Sequence, residues 1–596
     1  MRKKITLLVL IVGLANFYAQ TLPSPVNLET GYSVHNDGYL LYPSPENAYT
    51  TILEVGPGKT YTEIHDIPYT LITPGTLVKI YYRPTPYLTK ILLNVQASEN
   101  NKVRFQGIPD ENGTLPVISF TNATLWGNTP SSGALTIATG SLFIVYDVYN
   151  VKPSWIDIVN LHLRDAPYAG VWAQADHVSI KGCILNNNAN GVFFQANDQN
   201  ILEISTNMLI EGNLFMENGS TGSNADRHHN IYAQGRNSTI QFNTLQRVKD
   251  GSLGTSLKDR SSFTVVRYNR IETSSRSIDL VEPEDTDQVL TVDANWGDAY
   301  VYGNLIINDH PSGSTAMIHY GYDNVPTYRR EGTLYFANNT IYVDRTGHGL
   351  YKVSLFDVNS TVSNIQFSNN ILYATGMNQF NIFRSNNTDN AGAIAFETSW
   401  LSVNGTDDPT SWQLNDLAGS YSMTGTPING NGINAGFTAV ANGDYTLTGS
   451  SPSLALGTNL NATIGLNVNY NSITTLVELA RTDQANPNLG AFSSDTATAS
   501  ILDETLKKSI STSYPNPFEN STTIQYSLAN DTFCTITITN SIGQVIKKLV
   551  NSTQVSGNYR VAWDGSSMQG KKVSKGLYFY TITTKNHIES KKMLLK

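Results

Sequence analysis

The chain has 596 residues, of which only 15% are charged, and it holds 45 glycines. This composition favours turn-rich β structure over a helical bundle. The 48 acidic and 39 basic residues give a formal net charge of −9, which excludes nucleic acid as the main partner because phosphate attraction dominates such binding. Cys183 and Cys534 fall in different predicted domains, so the fold must depend on its core rather than on disulfides.

Residues 1–20 are predicted to form a secretory signal peptide. Arg2, Lys3 and Lys4 make the positive region, and an apolar run from Ile5 to Leu14 follows. This run is too short to cross a bilayer, and no later stretch is long and apolar enough to do so. We therefore expect export through the periplasm and outer membrane to the cell surface or the medium, with no transmembrane segment in the mature chain.

Residues 21–130 open the globular part with short apolar strands between turn signals. The segment from Val55 to Thr62 reads VGPGKTYT, and TPGTLVKI follows at residues 73–80. This pattern resembles the N-terminal segment of many secreted right-handed parallel β-helix proteins. The resemblance implies a solenoid over residues 131–495, with closing coils in its last hundred residues.

A short phrase recurs within that region: GVWAQ at 170–174, GVFFQ at 191–195 and NIYAQ at 230–234. It alternates as a β-strand does, and the first two copies lie 21 residues apart. Repeats at about one coil of chain are typical of solenoids. The phrase continues with changed chemistry as SLKDR at 256–260, SIDLV at 277–281 and MIHY at 317–320.

The aligned copies predict two columns of side chains on stacked strands. The inward column contains Val171, Val192, Ile231, Leu257, Ile278 and Ile318. The outward column contains Trp172, Phe193, Tyr232, Lys258, Asp279 and His319, with weaker copies extending it to Tyr351 and Phe383. We expect the outward column to be an exposed row of aromatic rings interrupted by ionisable groups. An ordinary solvated sheet face is the alternative.

Asparagine ends a strand in each of several coils, at Asn213, Asn243, Asn269, Asn304, Asn339 and Asn370. Asparagine tolerates left-handed backbone and caps turns. Stacked amides can also hydrogen-bond along the solenoid. We interpret these residues as structural.

Residues 496–511 are rich in Ser, Thr and Ala and are predicted to be a linker. Residues 512–596 then form a small alternating module, which begins with YPNPF at 514–518 and ends with KKMLLK at 591–596. It resembles the type A C-terminal sorting domain of the Bacteroidetes type IX secretion system. The resemblance implies an Ig-like sandwich that is read by the secretion machinery. A carbohydrate-binding sandwich is the alternative.

The outward column brings Lys258, Asp279 and His319 onto consecutive coils, about 4.8 Å apart. Such a cluster suits β-elimination of a uronic acid, in which cations neutralise the substrate carboxylate and a base removes a proton. Arg260 or Arg276 could bind the carboxylate as a fork. Lys258, His319, His229 or Tyr232 could act as base or acid.

Two other functions remain open. Hydrolysis needs two carboxylates, and Asp279 with Glu282 or Asp259 is the available set. A non-catalytic adhesin or glycan-binding surface protein would need only the aromatic and charged face. In that case Lys258 and Asp279 would form a simple ion pair.

The Lys258 segment is similar to that of chondroitinase B and alginate lyases, which are right-handed parallel β-helix proteins with a Lys base and an Arg on the next coil. Here Asp279 stands in place of that Arg. Lys249-Asp250-Gly251-Ser252 stands where the calcium ligands of that family would fall. The resemblance therefore implies the architecture without securing the activity.

The predicted fold class is all-β: a right-handed parallel β-helix solenoid followed by a small Ig-like β-sandwich. The predicted function is binding, and cleavage by β-elimination, of an extracellular acidic polysaccharide. No metal site or cofactor is predicted, and calcium has no support. The predicted catalytic residues are Lys258, Arg260, Asp279 and His319, and the predicted substrate-binding residues are Trp172, Phe193, His229, Tyr232 and Arg276.

Overall fold

The structure is a computed structural model. It describes residues 22–127, 140–146, 152–195, 204–273, 275–284, 293, 296–310, 316–348, 352–359, 363–377, 379–385, 388, 391–404, 412–475, 477–481, 487–493, 511–514, 516–528, 532–540, 544–555, 557–584 and 588–596. The predicted signal peptide and nearly all of the predicted linker lie outside these residues. The chain divides into two compact units, residues 1–494 and 495–596.

Three long parallel sheets build the first unit, and each coil contributes one strand to each sheet in turn. Sheet 1 contains Thr51–Val55, Thr76–Tyr81, Val103–Ile108, Ser154–Val159, Asp176–Lys181, Ser205–Thr206, Leu209–Glu211, Gly235–Gln241, Ser262–Arg267, Ala299–Tyr302, Thr333–Ala337, Ser363–Ser368, Ala391–Phe396 and Ser420–Thr424. Sheet 2 contains Val117–Ser119, His162–Arg164, Ile184–Asn186, Leu214–Met216, Thr244–Leu245, Arg270–Glu272, Leu305–Asn308, Thr340–Asp344, Ile371–Thr375, Trp400–Asn404 and Ile428–Asn429.

Sheet 3 completes each coil and carries the recurring phrase of the sequence. It contains Thr89–Leu93, Thr124–Gly127, Ser141–Val145, Ala169–Ala173, Asn190–Phe194, Ile231–Ala233, Leu257–Asp259, Ile278–Leu280, Ala316–Gly321, Lys352–Asn359, Gln379–Ser385 and Trp412–Leu417. The inward side chains of all three sheets form one continuous core along the solenoid. The predicted fold class, a parallel β-helix followed by a small sandwich, is confirmed.

The asparagine ladder marks the corner between sheets 1 and 2. The side-chain N–H of each Asn donates to the side-chain oxygen of the next, over 2.9–3.1 Å, from Asn213 to Asn370. The backbone N–H of each donates to the same oxygen, and Ser399 Oγ accepts at the end of the row. These Asn side chains are fully buried, so the ladder satisfies amides that would otherwise be costly to bury.

The segment after residue 429 differs from the predicted closing coils. Strands Phe437–Ala439 and Asp444–Leu447 form an antiparallel pair whose side chains pack on the outer face of sheet 2. The only α-helix among the described residues, Leu460–Ile464, and the chain up to Leu479 pack on the outer face of sheet 1. The tyrosine-rich outer faces of both sheets are thereby covered, which explains why outward positions such as Tyr268 and Tyr300 can be apolar.

Shorter elements surround the coils. Strands Ser33–Val34 and Leu40–Leu41 pair antiparallel near the N-terminus. Short 3₁₀ helices occur at Glu46–Ala48, Ile64–Asp66, Tyr69–Leu71, Gly222–Asn224, Pro326–Tyr328 and Val440–Asn442. No helix within the described ranges is long and apolar enough to cross a membrane.

The second unit is a sandwich of two antiparallel sheets. One contains Ser511–Tyr514, Thr522–Leu528 and Gly557–Trp563, and the other contains Thr532–Asn540, Val545–Gln554, Gly576–Thr583 and Ile588–Leu595. Its own core is built around Phe518, Trp563 and Tyr580. The two cysteines are buried free thiols, Cys183 in the first unit and Cys534 in the second.

Candidate functional site

The outward column exists in the predicted register on sheet 3. Trp172, Phe193, Tyr232, Lys258, Asp279 and His319 are consecutive cross-strand partners, and the six inward residues are paired in the same way. Beyond His319 the column continues to Asp357 and Arg384. Phe383 instead pairs with Phe356 in the inward column, so its predicted outward position was wrong. Tyr351 lies outside the described residues.

The column is not the exposed row that the alternation suggested. Only 1% of Asp279, 3% of His319 and 9% of Lys258 is exposed, and Trp172 and Tyr232 are also buried. The alternation correctly placed these side chains away from the solenoid core. It could not show that residues 282–284 and 322–330, which follow the sheet 3 strands, would cover them. We call these residues, together with the column from Tyr232 to His319, the charged cluster.

Lys258 lies between two carboxylates. Its Nζ is 2.7 Å from Asp323 Oδ2 and 3.4 Å from Asp279 Oδ2. The contact with Asp279 follows from the register of adjacent coils, as predicted. The contact with Asp323 comes from the loop after His319. The ammonium of Lys258 is therefore held between two carboxylates, one on the next coil and one on the covering loop.

Arg260 is almost fully buried and reaches the same loop. Its Nη2 lies 3.4 Å from Asp323 Oδ2 and 3.3 Å from Glu284 Oε2, and its Nη1 lies 3.5 Å from Glu282 Oε2. Lys258 and Arg260 therefore converge on one oxygen atom of Asp323. Two cations that share an acceptor form a binding position for a carboxylate.

Asp279 and His319 form a buried dyad. His319 Nδ1 lies 2.8 Å from Asp279 Oδ1, and His319 Nε2 lies 3.1 Å from Asn359 Nδ2. Arg276 Nη1 lies 3.3 Å from the same Asp279 oxygen, as an ion pair, and 3.1 Å from His319 Nδ1. An Nδ1–H that donates to Asp279 leaves Nε2 as an acceptor, which is the arrangement of a general base held by a carboxylate.

Asp279 is ionised because its neighbours are cationic or donate hydrogen bonds. Burial opposes its ionisation, but attraction to His319, the hydrogen bond from that ring, and the charges of Lys258 and Arg276 outweigh burial. Together they hold the pKa of Asp279 well below its usual range. Asp279 therefore carries a negative charge next to the His319 ring at neutral pH.

Tyr232 and His229 flank the cluster from the N-terminal side. The Tyr232 hydroxyl donates to Glu284 Oε2 over 2.9 Å, and burial raises the pKa of this hydroxyl. His229 Nδ1 accepts from the Thr255 N–H at 2.8 Å. Burial, then the charge of Lys258, lowers the pKa of His229 to about 3. His229 is 3% exposed, so it packs inside the protein next to the site and does not face solvent.

The aromatic end of the column is packed by neighbouring rings. Phe193 stacks on Tyr232 with ring centroids 4.9 Å apart, and Trp172 contacts Tyr146 at 5.1 Å. Phe193 is partly exposed while Trp172 is buried. Phe193 is therefore the more accessible of these two rings, and Trp172 lies on the adjacent strand.

The loop from Gly321 to Arg330 is anchored on both sides of the cluster. The Glu282 carboxylate accepts from the backbone N–H groups of Asp323, Asn324 and Val325 at 2.6–2.7 Å. Arg330 is fully buried and lies 3.0 Å from Asp259 Oδ1, and it also donates to the Val281 carbonyl. These anchors fix the position of Asp323 over Lys258.

The carboxylates considered for hydrolysis have other partners. Asp259 is fully buried against Arg330, the Ser261 N–H and Thr264. Glu282 is also buried, and its oxygens hold the loop backbone and Arg260. Neither shares an open face with Asp279. Both carboxylates considered as partners of Asp279 in hydrolysis are therefore already bound to protein groups.

Several residues of the site escaped the sequence reasoning, namely Glu284, Asp323, Asp357, Asn359 and Arg384. A signal existed for Asp357, because Phe356 and Val358 flank it as Ile278 and Leu280 flank Asp279. Arg384 Nη2 pairs with Asp357 Oδ2 at 2.9 Å and continues the alternation of charge. Asp323 lies in a loop of irregular length, where strand period gives no guidance.

The described residues contain no group of three or more His, Cys, Asp or Glu side chains arranged to hold a metal ion. Lys249–Ser252, which stands where the lyase resemblance would put calcium ligands, forms a turn with Asp250 exposed. One carboxylate on a turn does not make the oxygen cage that calcium requires. The side chains present here do not fit that ion.

Residues 512–596 match a family model described as the secretion system C-terminal sorting domain. The second unit is a sorting domain. It directs the chain to the type IX secretion machinery, and hence to the cell surface or the extracellular space. The sorting domain covers about a seventh of the chain, so it establishes the route and leaves the activity of the β-helix open.

The β-helix unit is similar to several solved structures, all at low identity. A pectate lyase is 12% identical over 75% of this chain and 96% of that one, with a TM-score of 0.33. A pectin methylesterase from Aspergillus niger is 10% identical over 70% and 93%, with a TM-score of 0.24. A DFA-IIIase from Arthrobacter chlorophenolicus is 12% identical over 63% and 99%, with a TM-score of 0.30. Comparison with curated proteins gave no match.

Proposed function

We propose that this exported β-helix protein binds an acidic extracellular polysaccharide at the charged cluster and cleaves it by β-elimination. The single observation that carries the proposal is the stack of Lys258, Asp279 and His319 on consecutive coils. It combines a carboxylate-binding cation with a base held by a carboxylate. Both parts are needed, because the C5 proton of a uronate is weakly acidic until its carboxylate is neutralised.

The roles follow from the contacts. Lys258 and Arg260 neutralise the substrate carboxylate, since both already converge on one carboxylate oxygen. His319 removes the C5 proton through Nε2, because its Nδ1 is fixed on Asp279 and only a neutral amide meets Nε2. Arg276 forms an ion pair with the same Asp279 oxygen, contacts His319 Nδ1 and holds the dyad in place. Phe193 supports a neighbouring sugar ring at the rim.

β-Elimination leaves an unsaturated sugar at the new end, which absorbs in the far ultraviolet. The purified full-length chain is therefore incubated with alginate, pectin and a glycosaminoglycan, and the new absorbance is followed. His319→Ala should lower kcat by about 100-fold or more, which is the usual contribution of a general base. Lys258→Met should raise KM and lower kcat together, because Lys258 binds the carboxylate in the ground state and stabilises the greater negative charge of the transition state more strongly.

Lys249→Met is the matched control, because Lys249 lies on the loop before the cluster and takes no part in it. It should retain full activity on the same substrate. Cleavage that survives in His319→Ala would assign the base elsewhere, and cleavage without unsaturated ends would replace β-elimination with hydrolysis.

One observation favours a second function, glycan binding without cleavage. The cations of the cluster already face protein carboxylates, with Lys258 on Asp279 and Asp323, Arg260 on Glu284, and Arg276 on Asp279. Such a balanced cluster can bind sugar hydroxyls with no chemistry. In that case the same polysaccharide panel would give retention on immobilised glycan and no new chain ends.

A further inference from the structure

Asp323 has the position that an acidic sugar would take. Its Oδ2 lies 2.7 Å from Lys258 Nζ and 3.4 Å from Arg260 Nη2, which are the two cations assigned to the substrate carboxylate. The side chain of Asp323 is 32% exposed, whereas that of Arg260 is 1% exposed. Asp323 therefore stands between the buried cations and the solvent.

The backbone beneath Asp323 is held independently of its side chain. Glu282 accepts from three successive N–H groups of the loop, and Arg330 fixes the far end on Asp259. The carboxylate can thus leave Lys258 by rotation about its own side-chain bonds, while the loop stays anchored. Burial and the negative charge of Asp279 oppose the ionisation of Asp323, but the charge of Lys258, its hydrogen bond and the charge of His319 together lower the pKa of Asp323.

We infer that Asp323 is a built-in occupant of the carboxylate subsite formed by Lys258 and Arg260, and that an acidic sugar enters by displacing it. This inference rests on the proposed function, because it concerns the same subsite. Asp323 is thereby a specificity-determining residue: it keeps the subsite filled until a ligand brings a carboxylate of its own.

The reason for such an occupant is electrostatic. Asp323 is the carboxylate that Lys258 and Arg260 share, and emptying its position would leave these two buried positive charges next to each other without the negative charge between them. Exchanging one carboxylate for another keeps both cations paired at every step. A neutral sugar offers no charge in exchange and leaves Asp323 in place. The subsite should therefore discriminate acidic from neutral glycans through competition rather than through shape.

The test compares wild type with Asp323→Asn, which is nearly isosteric and removes the competing charge. Lys258 keeps Asp279, and Arg260 keeps Glu282 and Glu284, so the variant should fold. Calorimetric binding of trigalacturonate should be at least about tenfold tighter in the variant, as expected for a close charge pair. Binding of the methyl-esterified trimer should not change. Asp250→Asn, an exposed carboxylate on another loop, is the charge-matched control.

Inorganic sulfate gives a readout that does not depend on the substrate. Sulfate should raise the Tm of Asp323→Asn above that in chloride of equal ionic strength, because it binds only the native state. Wild type, Asp250→Asn and the double variant Lys258→Met with Asp323→Asn should lack this shift. No sulfate shift in Asp323→Asn would overturn the inference even if wild type cleaves a polysaccharide. A sulfate shift with no binding or cleavage of any acidic glycan would uphold the subsite and overturn the proposed function.

Weaker binding of trigalacturonate by Asp323→Asn would also overturn the inference. It would show that Asp323 contacts the substrate directly, as the acidic partner of Asp279 in a hydrolytic pair.

Discussion

At the scale of single residues, the neighbours of a buried group decide whether it can carry charge. Asp279 and His229 are both buried near Lys258, yet they behave in opposite ways. Asp279 keeps its charge because cations and donors surround it, whereas His229 faces the Thr255 N–H and the positive Lys258 and stays neutral. One cation therefore stabilises a negative neighbour and prevents a second positive charge from forming.

His229 should make the fold sensitive to acid. Its pKa is lowered to about 3 from an ordinary value of 6.5, so the unfolded chain takes up the proton first. Stability is then fully present above about pH 6.5 and is lost as the pH falls toward 3. His229→Asn keeps an acceptor for the Thr255 N–H and cannot be protonated. Between pH 7 and 4.5 the wild type should lose about 2 kcal/mol more stability than the variant.

Urea unfolding at the two pH values measures this difference. His348→Asn provides the control, because His348 is partly exposed in a turn, and its pH dependence should match that of wild type. If the free energy of unfolding fell equally with pH in wild type and in His229→Asn, His229 would not be the group that controls acid sensitivity.

At the scale of elements, the asparagine ladder aligns each coil with the next through buried hydrogen bonds. Asn269 shows why: its oxygen accepts the backbone and side-chain N–H of Asn243, and its own amide donates to Asn304 and to the Ile240 carbonyl. Removing one rung therefore leaves buried donors and an acceptor without partners. No apolar residue of similar size could replace these bonds.

Asn269→Ala should lower the free energy of unfolding by about 3 kcal/mol or more, since each orphaned buried group costs about 1–3 kcal/mol. Asn461→Ala serves as control, because Asn461 is exposed in the short helix, and its effect should stay within about 0.5 kcal/mol. Thermal unfolding of both variants gives the comparison. A small effect at Asn269 would mean that water replaces the missing amide.

The strands and their register could be predicted from the sequence, because apolar neighbours mark each outward residue. Ile278 and Leu280 flank Asp279, and both are fully buried. The loop that covers the outward column could not be predicted. Lys258 and Asp323 are 65 residues apart, and Asp323 lies in a loop whose sequence has no strand periodicity. The outer layer was missed for the same reason: Phe437 and Tyr445 show apolar alternation, but nothing local says which sheet they cover.

At the scale of the whole molecule, the two units have separate cores and separate tasks. The β-helix holds the charged cluster, and the sorting domain holds the export signal. The sandwich core around Trp563 shares no residue with the solenoid core. Each unit should therefore fold from its own sequence.

A chain that ends at residue 510 should remain in the periplasm of the producing cell while keeping its β-rich circular dichroism spectrum. Cell fractionation and immunoblotting measure its location. Met568→Ala is the control, because Met568 is 62% exposed in the sorting domain and its loss should leave export intact. Export of the shortened chain would place a sufficient signal within the β-helix.

The asparagine ladder has a direction along the chain, and this direction determines which coil completes the hydrogen bonds of which. Every rung donates its backbone N–H to the oxygen of the next Asn along the sequence, until Ser399 provides the last acceptor. The backbone N–H of the Asn in one coil therefore finds its acceptor only in the following coil, 26 to 35 residues further along the chain. The amide at each corner is completed only by the following coil, so a solenoid that is folded up to any one coil has a single incomplete corner at its C-terminal end.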